Sequence, residues 1–223
     1  MVFFMNSFVD TNVSIAYMFS IDPLNNKSIS VFSEYEYIFW SKLVKKECKQ
    51  VFKNKKKILV RFYKDLVNYL KPENFHDFSF EDLKKYVLEK YPKGKKREQI
   101  LSSLSKFWNN YVNESFPTYD SFIQSTNNCL NDLKSLLYSR KEKWEENTLL
   151  TEDRQEKYPE LKKKLKSLKV HSPDDEIVLD AHDFNLRNNF LLDFITFDQD
   201  CYKGVFQIKE FHFNKVKGKY DYL

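Results

Sequence analysis

Short apolar runs that end abruptly in polar residues mark both ends of the chain. Residues 7–9 lead directly into Asp10, and residues 193–196 are followed closely by Asp198. Aromatic and β-branched side chains also dominate residues 35–40. Runs of this kind, bounded by turn or capping residues, predict buried strands. The same pattern predicts two further strands, at residues 168–171 and 205–208.

Helical periodicity links these runs. Apolar positions predict short helices over residues 13–19 and about residues 26–33, and Ser41 is placed to cap a helix after the second strand. Near the other end, residues 172–175 open a helix that continues toward Asn188, with a cap, an early proline and two acids at its positive end. Strands that alternate with helices predict a parallel sheet covered by helices on both faces.

The middle of the chain, residues 58–165, has helical periodicity throughout. Apolar stripes recur with a period near 3.6, separated by prolines and a capping-box sequence. This pattern predicts a helical insertion within an α/β domain formed by residues 1–57 and 166–223. Trp108 and Trp144 lie in these stripes, where they either pack in the core or stack on single-stranded bases.

Composition describes a globular protein and disfavours some chemistry. The chain has 223 residues, of which 42% are hydrophobic, enough to bury a sizeable core. It has three glycines and neither a P-loop nor a dinucleotide-binding fingerprint. Cys48, Cys129 and Cys201 are widely spaced, which favours reduced thiols in a cytoplasmic protein over a zinc site. The apolar start, residues 2–5, is too short for a membrane span, so we expect no signal peptide and no membrane partner.

Lysine clusters dominate the distribution of charge. The net charge is only +5, but lysines concentrate within residues 45–57, 93–97 and 162–169. Such clusters suit a polyanion, since each phosphate contact releases condensed counterions. They are equally consistent with solvated helix faces in a lysine-rich protein.

Several acids are predicted to meet at one edge of the sheet, each following or lying close after a predicted strand. These residues, here called the four acids, are Asp10, Glu47, Asp174 and Asp198. In an open parallel sheet, sites form outside the carboxyl ends of the strands. Carboxylates held in a small volume raise one another's pKa, and a cation resolves this repulsion. Hard oxygen ligands suit Mg²⁺ or Mn²⁺.

Other acids compete for the same roles. Glu34 and Glu36 are alternatives to Glu47, although both precede the end of the second predicted strand. Asp175 is an alternative to Asp174, since the two are adjacent at the start of one helix. Acids at that position also compensate the helix dipole, so their presence alone does not indicate a metal site.

The order of these residues resembles that of the PIN-domain nucleases, a family that includes the toxin components of many prokaryotic toxin–antitoxin pairs. The similarity consists of a strand followed by D-T-N, an S-x-x-V-x-x-E element, a helix-opening acid with apolar residues three and seven positions later, and a T-x-D-x-D element. The matching residues are Asp10, Thr11, Asn12, Ser41, Val44, Glu47, Asp174, Ile177, Ala181, Thr196, Asp198 and Asp200. Both ends of the chain are covered, and residues 58–166 are not.

This resemblance implies a PIN-like parallel sheet flanked by helices, carrying an inserted α-helical subdomain. It implies a metal-dependent endoribonuclease that leaves 5′-phosphate and 3′-hydroxyl ends, with the four acids as catalytic residues and as ligands of Mg²⁺ or Mn²⁺. The partners implied are RNA and, for a toxin, an antitoxin protein. Residues expected to support the site, or to serve as alternates in it, are Thr11, Asn12, Asp175, Thr196 and Asp200.

Three functions stay open at this point. Besides an endoribonuclease, the same acids suit a structure-specific DNA nuclease, because the related flap-nuclease fold uses similar acids. The third is a non-catalytic interaction module, such as a receiver-like magnesium switch. A receiver would have paired acids after its first strand, where this chain has Asp10 followed by Thr11 and Asn12. The long insertion departs from the compact fold of a toxin. A homo-oligomer is one of the oligomeric states compatible with the sequence.

Overall fold

The chain folds into two units in a computed structural model that describes residues 5–72, 79–112, 118–189 and 191–222. The sheet unit comprises Met1–Val51 and Arg140–Leu223, and the helical unit comprises Phe52–Ser139. Residues 140–165, which we expected in the helical insertion, belong to the sheet unit because they contribute a strand to its sheet.

The sheet has five parallel strands in the order β3-β2-β1-β4-β5. The strands are β1 (Asn6–Val9), β2 (Tyr37–Trp40), β3 (Thr148–Leu150), β4 (Leu192–Ile195) and β5 (Lys215–Lys217). In register, Asn6 of β1 lies opposite Tyr37 of β2 on one side and Leu192 of β4 on the other. The first strand is therefore central. Strands β2 and β3 lie on one side of β1, and β4 and β5 lie on the other, so the strand order reverses direction between β1 and β4. The prediction of an α/β fold with a parallel sheet is confirmed.

Helices connect and flank these strands. Those within the sheet unit are α1 (Thr11–Met18), α2 (Asn25–Glu34), α7 (Pro159–Ser167), α8 (Asp174–Asn188) and α9 (Gln199–Gln207). The others are α3 (Lys42–Tyr69), α4 (Phe80–Lys90), α5 (Lys95–Tyr111) and α6 (Tyr119–Asn147), of which α3 and α6 have residues in both units. In the described ranges, no helix has both the length and the apolar character that a membrane crossing needs.

The core of the sheet unit contains strand side chains and a group of aromatic rings. Phe8 and Phe194, on the adjacent strands β1 and β4, are fully buried. Trp144, near the end of α6, is also fully buried, with its ring centroid 4.6 Å from that of Phe32 and 5.8 Å from that of Trp40. Of the two roles considered for Trp144, core packing is the one observed.

The helical unit has a hydrophobic core of its own. Phe62, Leu104 and Phe107 are completely buried within it, and Trp108 packs against it in a partly buried position. Tyr63 is buried there as well, with its hydroxyl 2.8 Å from the hydroxyl of Ser103. Helical periodicity in the middle of the chain therefore corresponds to real helices that share one apolar interior.

The predicted strand at residues 205–208 is instead the end of helix α9 and its C-terminal cap. The carboxylate of Asp198 accepts hydrogen bonds from the backbone amides of Asp200 and Cys201, both at 2.9 Å, and so begins the helix. One side of α9 is then buried, at Cys201 and Gly204 among others. Capping and burial at helical spacing thus override the strand preference of its β-branched and aromatic residues.

Three further segments differ from expectation. Residues 168–171, predicted as a strand, connect α7 to α8, and the backbone of Lys169 has a φ of 67°, which is incompatible with an extended strand. Strand β5 lies in the lysine-rich tail, where pairing with β4 determines the structure and the exposed Lys215 suits an edge strand. Strand β3 follows directly on α6 and pairs with β2.

Candidate functional site

The carboxyl ends of β1 and β4 lie side by side at the centre of the sheet. Val9 pairs with Ile195, and the backbone amide of Asp10 donates to the carbonyl of Ile195 at 3.0 Å. Asp10 and Thr196 are therefore the first residues beyond two adjacent strands. These ends lie where the chain changes sides of the sheet, which is the usual location of ligand sites in open parallel sheets.

Protein donors hold both carboxylate oxygens of Asp10 in place. The hydroxyl of Thr196 donates to Oδ2 at 2.7 Å, and the side-chain amide of Asn12 donates to the same oxygen at 2.8 Å. The backbone amide of Thr11 donates to Oδ1, so that Asp10 also caps helix α1. Asp10 is only 1% exposed, so this carboxylate is fixed in the interior.

Thr11 connects Asp10 to the second of the four acids. Its hydroxyl donates to Oε2 of Glu47 at 2.7 Å. Glu47 lies on α3, whose first turn is stabilised where the amide of Val44 donates to the hydroxyl of Ser41 at 3.3 Å. The S-x-x-V-x-x-E element therefore brings a partly buried carboxylate next to the D-T-N element.

A second set of contacts connects the D-T-N element to the end of β4. The side-chain oxygen of Asn12 accepts from the amide of Phe197 at 2.9 Å, and the hydroxyl of Thr196 accepts from the amide of Asp198 at 3.1 Å. Asp198 is partly exposed, whereas the side chain of Asp200 is exposed to solvent. The loop after β4 is thereby held beside Asp10.

The charges of the four acids act on one another. Burial, followed by the charges of Asp198, Glu47 and Asp175, raises the pKa of Asp174 from 3.8 to about 6. Burial and then the charge of Asp174 raise the pKa of Asp10 from 3.8 to about 7, with a smaller contribution from Glu47. Acids from four separate parts of the chain thus form one electrostatic group.

The two adjacent acids at the start of α8 have different surroundings. Asp174 is partly exposed and raises the pKa of Asp10. Asp175 is fully buried, accepts a hydrogen bond from the amide of Glu176 at 2.8 Å, and its charge contributes to the raised pKa of Lys162. Asp174 is therefore the member of the pair whose charge acts directly on Asp10, whereas Asp175 acts on Asp174.

Glu34, an alternative to Glu47, is committed elsewhere. It forms an ion pair with Lys217 of β5, and Lys217 also lies 3.8 Å from the carboxylate of the buried Asp193. The backbone amide of Glu36 donates to the carbonyl of Met5, ahead of strand β1. The carboxylate of Glu34 is therefore engaged by Lys217, and the backbone of Glu36 lies beside the start of β1.

Two buried thiols next to the four acids were not singled out from the sequence. The Cys48 thiol lies 3.9 Å from the carbonyl oxygen of Thr11, and burial raises its pKa to about 12. Burial also raises the pKa of Cys201, with the charges of Asp10 and Asp174 adding to the effect. Both are neutral, poorly nucleophilic thiols that pack behind the acids. In the sequence, each of these cysteines directly follows an acid, Glu47 or Asp200, and this adjacency is the signal that could have located them.

The donor set suits a hard divalent cation, since all four acids offer carboxylate oxygens. Over the described parts of the chain, no three His, Cys, Asp or Glu side chains are arranged so that they could hold a metal ion. Glu47, Asp174 and Asp198 are partly exposed, and the carboxylates of Glu47 and Asp198 already accept hydrogen bonds from Thr11 and from backbone amides of α9. A cation shared by these carboxylates therefore requires their side chains to turn toward one another.

Comparisons with protein-family models, with curated proteins and with solved structures gave no match to this chain. The similarity to PIN-domain nucleases thus depends on the residues quoted above and stays a prediction. The features that bear on function are the parallel sheet and the acids beyond its central strands.

Proposed function

We propose that this chain is a metal-dependent nuclease that hydrolyses the phosphodiester bonds of RNA. The observation that supports the proposal is that the charges of the four acids act on one another beyond the central strands, with the pKa of Asp10 raised to about 7 and that of Asp174 to about 6. Carboxylates whose charges act on one another in this way repel, which destabilises the folded protein unless a cation is present. Strongly perturbed acids of this kind concentrate at functional sites.

The four acids would hold Mg²⁺ or Mn²⁺. When bound, such a cation supplies Lewis acidity, which activates water and neutralises charge on a phosphate under attack. Carboxylates suit this task because their oxygens are hard ligands and because a partly exposed site leaves room for water and substrate.

Neighbouring polar side chains would orient these ligands. Thr11 contacts Asp10 through its backbone amide and Glu47 through its hydroxyl, so one residue fixes the spacing of two acids. Asn12 and Thr196 fix the second oxygen of Asp10. Partners of this kind set the orientation and basicity of ligands, and their loss typically reduces metal affinity or activity by about 10- to 100-fold.

Cleavage of labelled single-stranded RNA and DNA in the presence of Mn²⁺ tests the proposal, with Asp198→Asn compared against Asp200→Asn. Both substitutions remove one negative charge from the same loop, and asparagine at position 198 still caps α9. We expect the wild type to cleave RNA only with metal present. Asp198→Asn should lose at least about 100-fold of this activity, whereas the exposed Asp200 should tolerate the change.

Each alternative outcome has a definite meaning. Equal activity in Asp198→Asn and Asp200→Asn would remove Asp198 from the site. Metal-dependent cleavage of DNA alone would assign the acids to a DNA nuclease. If neither Mn²⁺ nor Mg²⁺ supports cleavage of either substrate by the wild type, the proposal is wrong and the interaction-module alternative is favoured.

A further inference from the structure

Helix α9 presents aromatic side chains to solvent. Tyr202 and Phe206, four residues apart, have stacked rings with centroids 6.0 Å apart. Phe206 is 68% exposed, and Tyr220, which follows β5, is 66% exposed, so that these are the two most exposed large hydrophobic side chains in the described ranges. The solvent side of a surface helix normally carries polar residues, and exposed aromatic groups mark binding sites.

This surface is continuous with the candidate site. A cavity of about 50 Å³ is lined by Thr196, Asp198, Tyr202 and Tyr220. An open groove of about 600 Å³ starts on the far side of Tyr202 and passes Phe206. Tyr202 borders both, so a ligand that extends from the acids along α9 would contact all three rings in turn.

The position of the Tyr202 ring depends on a glycine. A Cβ atom at Gly218 would lie 3.0 Å from Cδ2 of Tyr202, closer than side chains normally approach one another. Because Gly218 has no side chain, the ring lies directly against the backbone between β5 and Tyr220. Packing against this backbone therefore fixes the position of the Tyr202 ring.

Lysines surround these rings. The exposed Lys209 and Lys215 line the same groove as Tyr202 and Phe206, and the exposed Lys203 follows Tyr202 on α9. The Lys219 ammonium lies 5.1 Å from the centre of the Tyr220 ring, and the Lys27 ammonium lies 6.0 Å from it. Among the nearby acids, Glu210 is paired with Lys164, and Asp221 accepts a hydrogen bond from the amide of Gly218. Asp221 keeps its charge, and so do Asp198 and Asp200 at the start of α9, but the lysines outnumber these acids.

We propose that Tyr202, Phe206 and Tyr220, here called the α9 aromatic surface, bind single-stranded nucleic acid and guide it to the four acids. Unpaired bases stack on exposed rings, and lysines between the rings neutralise phosphates. A duplex conceals its base faces and cannot use these rings. The role of guiding a substrate rests on the proposed nuclease function, whereas the binding itself does not.

Binding of a fluorescent oligonucleotide of about 12 nucleotides, measured by anisotropy in EDTA, tests this inference without cleavage. We expect Phe206→Ala to weaken binding of the RNA oligonucleotide by about 5- to 150-fold, the range given by loss of one stacked base. Phe206→Leu should weaken binding nearly as much, because leucine keeps apolar area but has no flat ring. Phe206→Trp keeps a flat ring and should retain the affinity of the wild type. Leu191→Ala, at a side chain 57% exposed before β4, is the matched control and should bind as the wild type does.

The contribution of the lysines is measured separately, from the salt dependence of the binding affinity. Replacing Lys203 and Lys209 together by glutamine should reduce the slope of log affinity against log salt by about 0.7 for each lysine that contacts a phosphate of a single strand. Lys143→Gln, at an exposed lysine on α6, should leave the slope unchanged. A DNA oligonucleotide of the same sequence shows whether the surface distinguishes the two sugars, and a duplex should bind independently of Phe206.

The inference and the proposed function can fail separately. If the wild type cleaves RNA but Phe206→Ala and Phe206→Leu bind the oligonucleotide like the wild type, the inference is overturned and the nuclease stands. If binding depends on Phe206 but no metal supports cleavage, the inference stands alone. If Phe206→Ala changes the oligomeric state in light scattering while oligonucleotide binding is retained, the surface joins copies of the chain, and the inference is again overturned.

Discussion

Asp10→Asn should make the metal-free protein more stable at about pH 8, by about 1–3 kcal/mol in the free energy of unfolding. Asp10 is 1% exposed, and the charge of Asp174 acts on it, so its ionised form destabilises the folded state. Asparagine has no charge and keeps an oxygen that can accept from the backbone amide of Thr11. Its NH2 group cannot accept from Asn12 and Thr196 as Oδ2 does, and this loss offsets part of the gain. The same variant should lose nuclease activity, which separates the stability of the site from its function.

The gain in stability should depend on pH in a defined direction. The pKa of Asp10 is raised from 3.8 to about 7 in the folded protein, so the folded state binds its proton more tightly than the unfolded state does. The stabilising effect of the proton is complete below about pH 4 and is lost as the pH rises to about 7. Asp10→Asn should therefore match the wild type near the acid limit and exceed it increasingly up to neutrality.

Urea unfolding in EDTA at several pH values measures this difference. Asp200→Asn is the control, because its exposed carboxylate should contribute no more than about 0.5 kcal/mol. Added Mn²⁺ should stabilise the wild type and leave Asp10→Asn unchanged, since a ligand that binds only the folded state raises its stability. A variant less stable than the wild type at about pH 8 would show that Asp10 is mainly a helix cap.

Trp144→Ala should destabilise the protein by about 3–5 kcal/mol. The indole is fully buried, with ring centroids of Tyr17, Phe32 and Trp40 at 5.6, 4.6 and 5.8 Å. Its loss leaves a cavity among three aromatic rings that cannot all move into the space. Because the whole folding free energy of a domain is about 5–15 kcal/mol, this single change should remove much of it.

Chemical unfolding followed by circular dichroism measures the Trp144 effect. Trp144→Phe should cost less than half as much, since it keeps a ring and removes a buried indole N–H that has no hydrogen-bond partner among the described residues. Leu150→Ala, at a side chain 46% exposed on β3, should cost less than about 1 kcal/mol. A Trp144→Ala protein as stable as the Leu150→Ala control would contradict the packing described for α6.

Local signals were sufficient where an element is determined by its own residues. Strand β1 before Asp10, helix α8 from Asp174 and strand β4 before Thr196 all have the predicted type, with bounds close to the predicted ones. The two strands are apolar runs that end in polar residues, and α8 has acids in its first turn, although the side-chain cap predicted for it is absent at Pro173. The edge of the sheet at which the acids lie follows from the parallel direction of the strands alone, since sites form beyond their carboxyl ends.

Elements that depend on distant partners were not predictable. Helix α9 contains a strand-like run, but a cap at Asp198 and burial of Gly204, where a Cβ would lie 2.3 Å from Val170, favour the helix. Strands β3 and β5 have three residues each and are determined by pairing with β2 and β4. The α9 aromatic surface could not be foreseen because it requires α9 to be helical and Gly218 to lie beneath Tyr202.

The central claim is that the four acids bind one divalent cation. Calorimetric titration of Mn²⁺ into the wild type, Asp174→Asn and Asp175→Asn tests it most directly, because the two variants remove equal charge from adjacent positions of α8. We predict saturable binding to the wild type, at least about tenfold weaker binding to Asp174→Asn, and near wild-type affinity in Asp175→Asn. Absence of saturable binding to the wild type, or equal affinity in the wild type and Asp174→Asn, would contradict the claim.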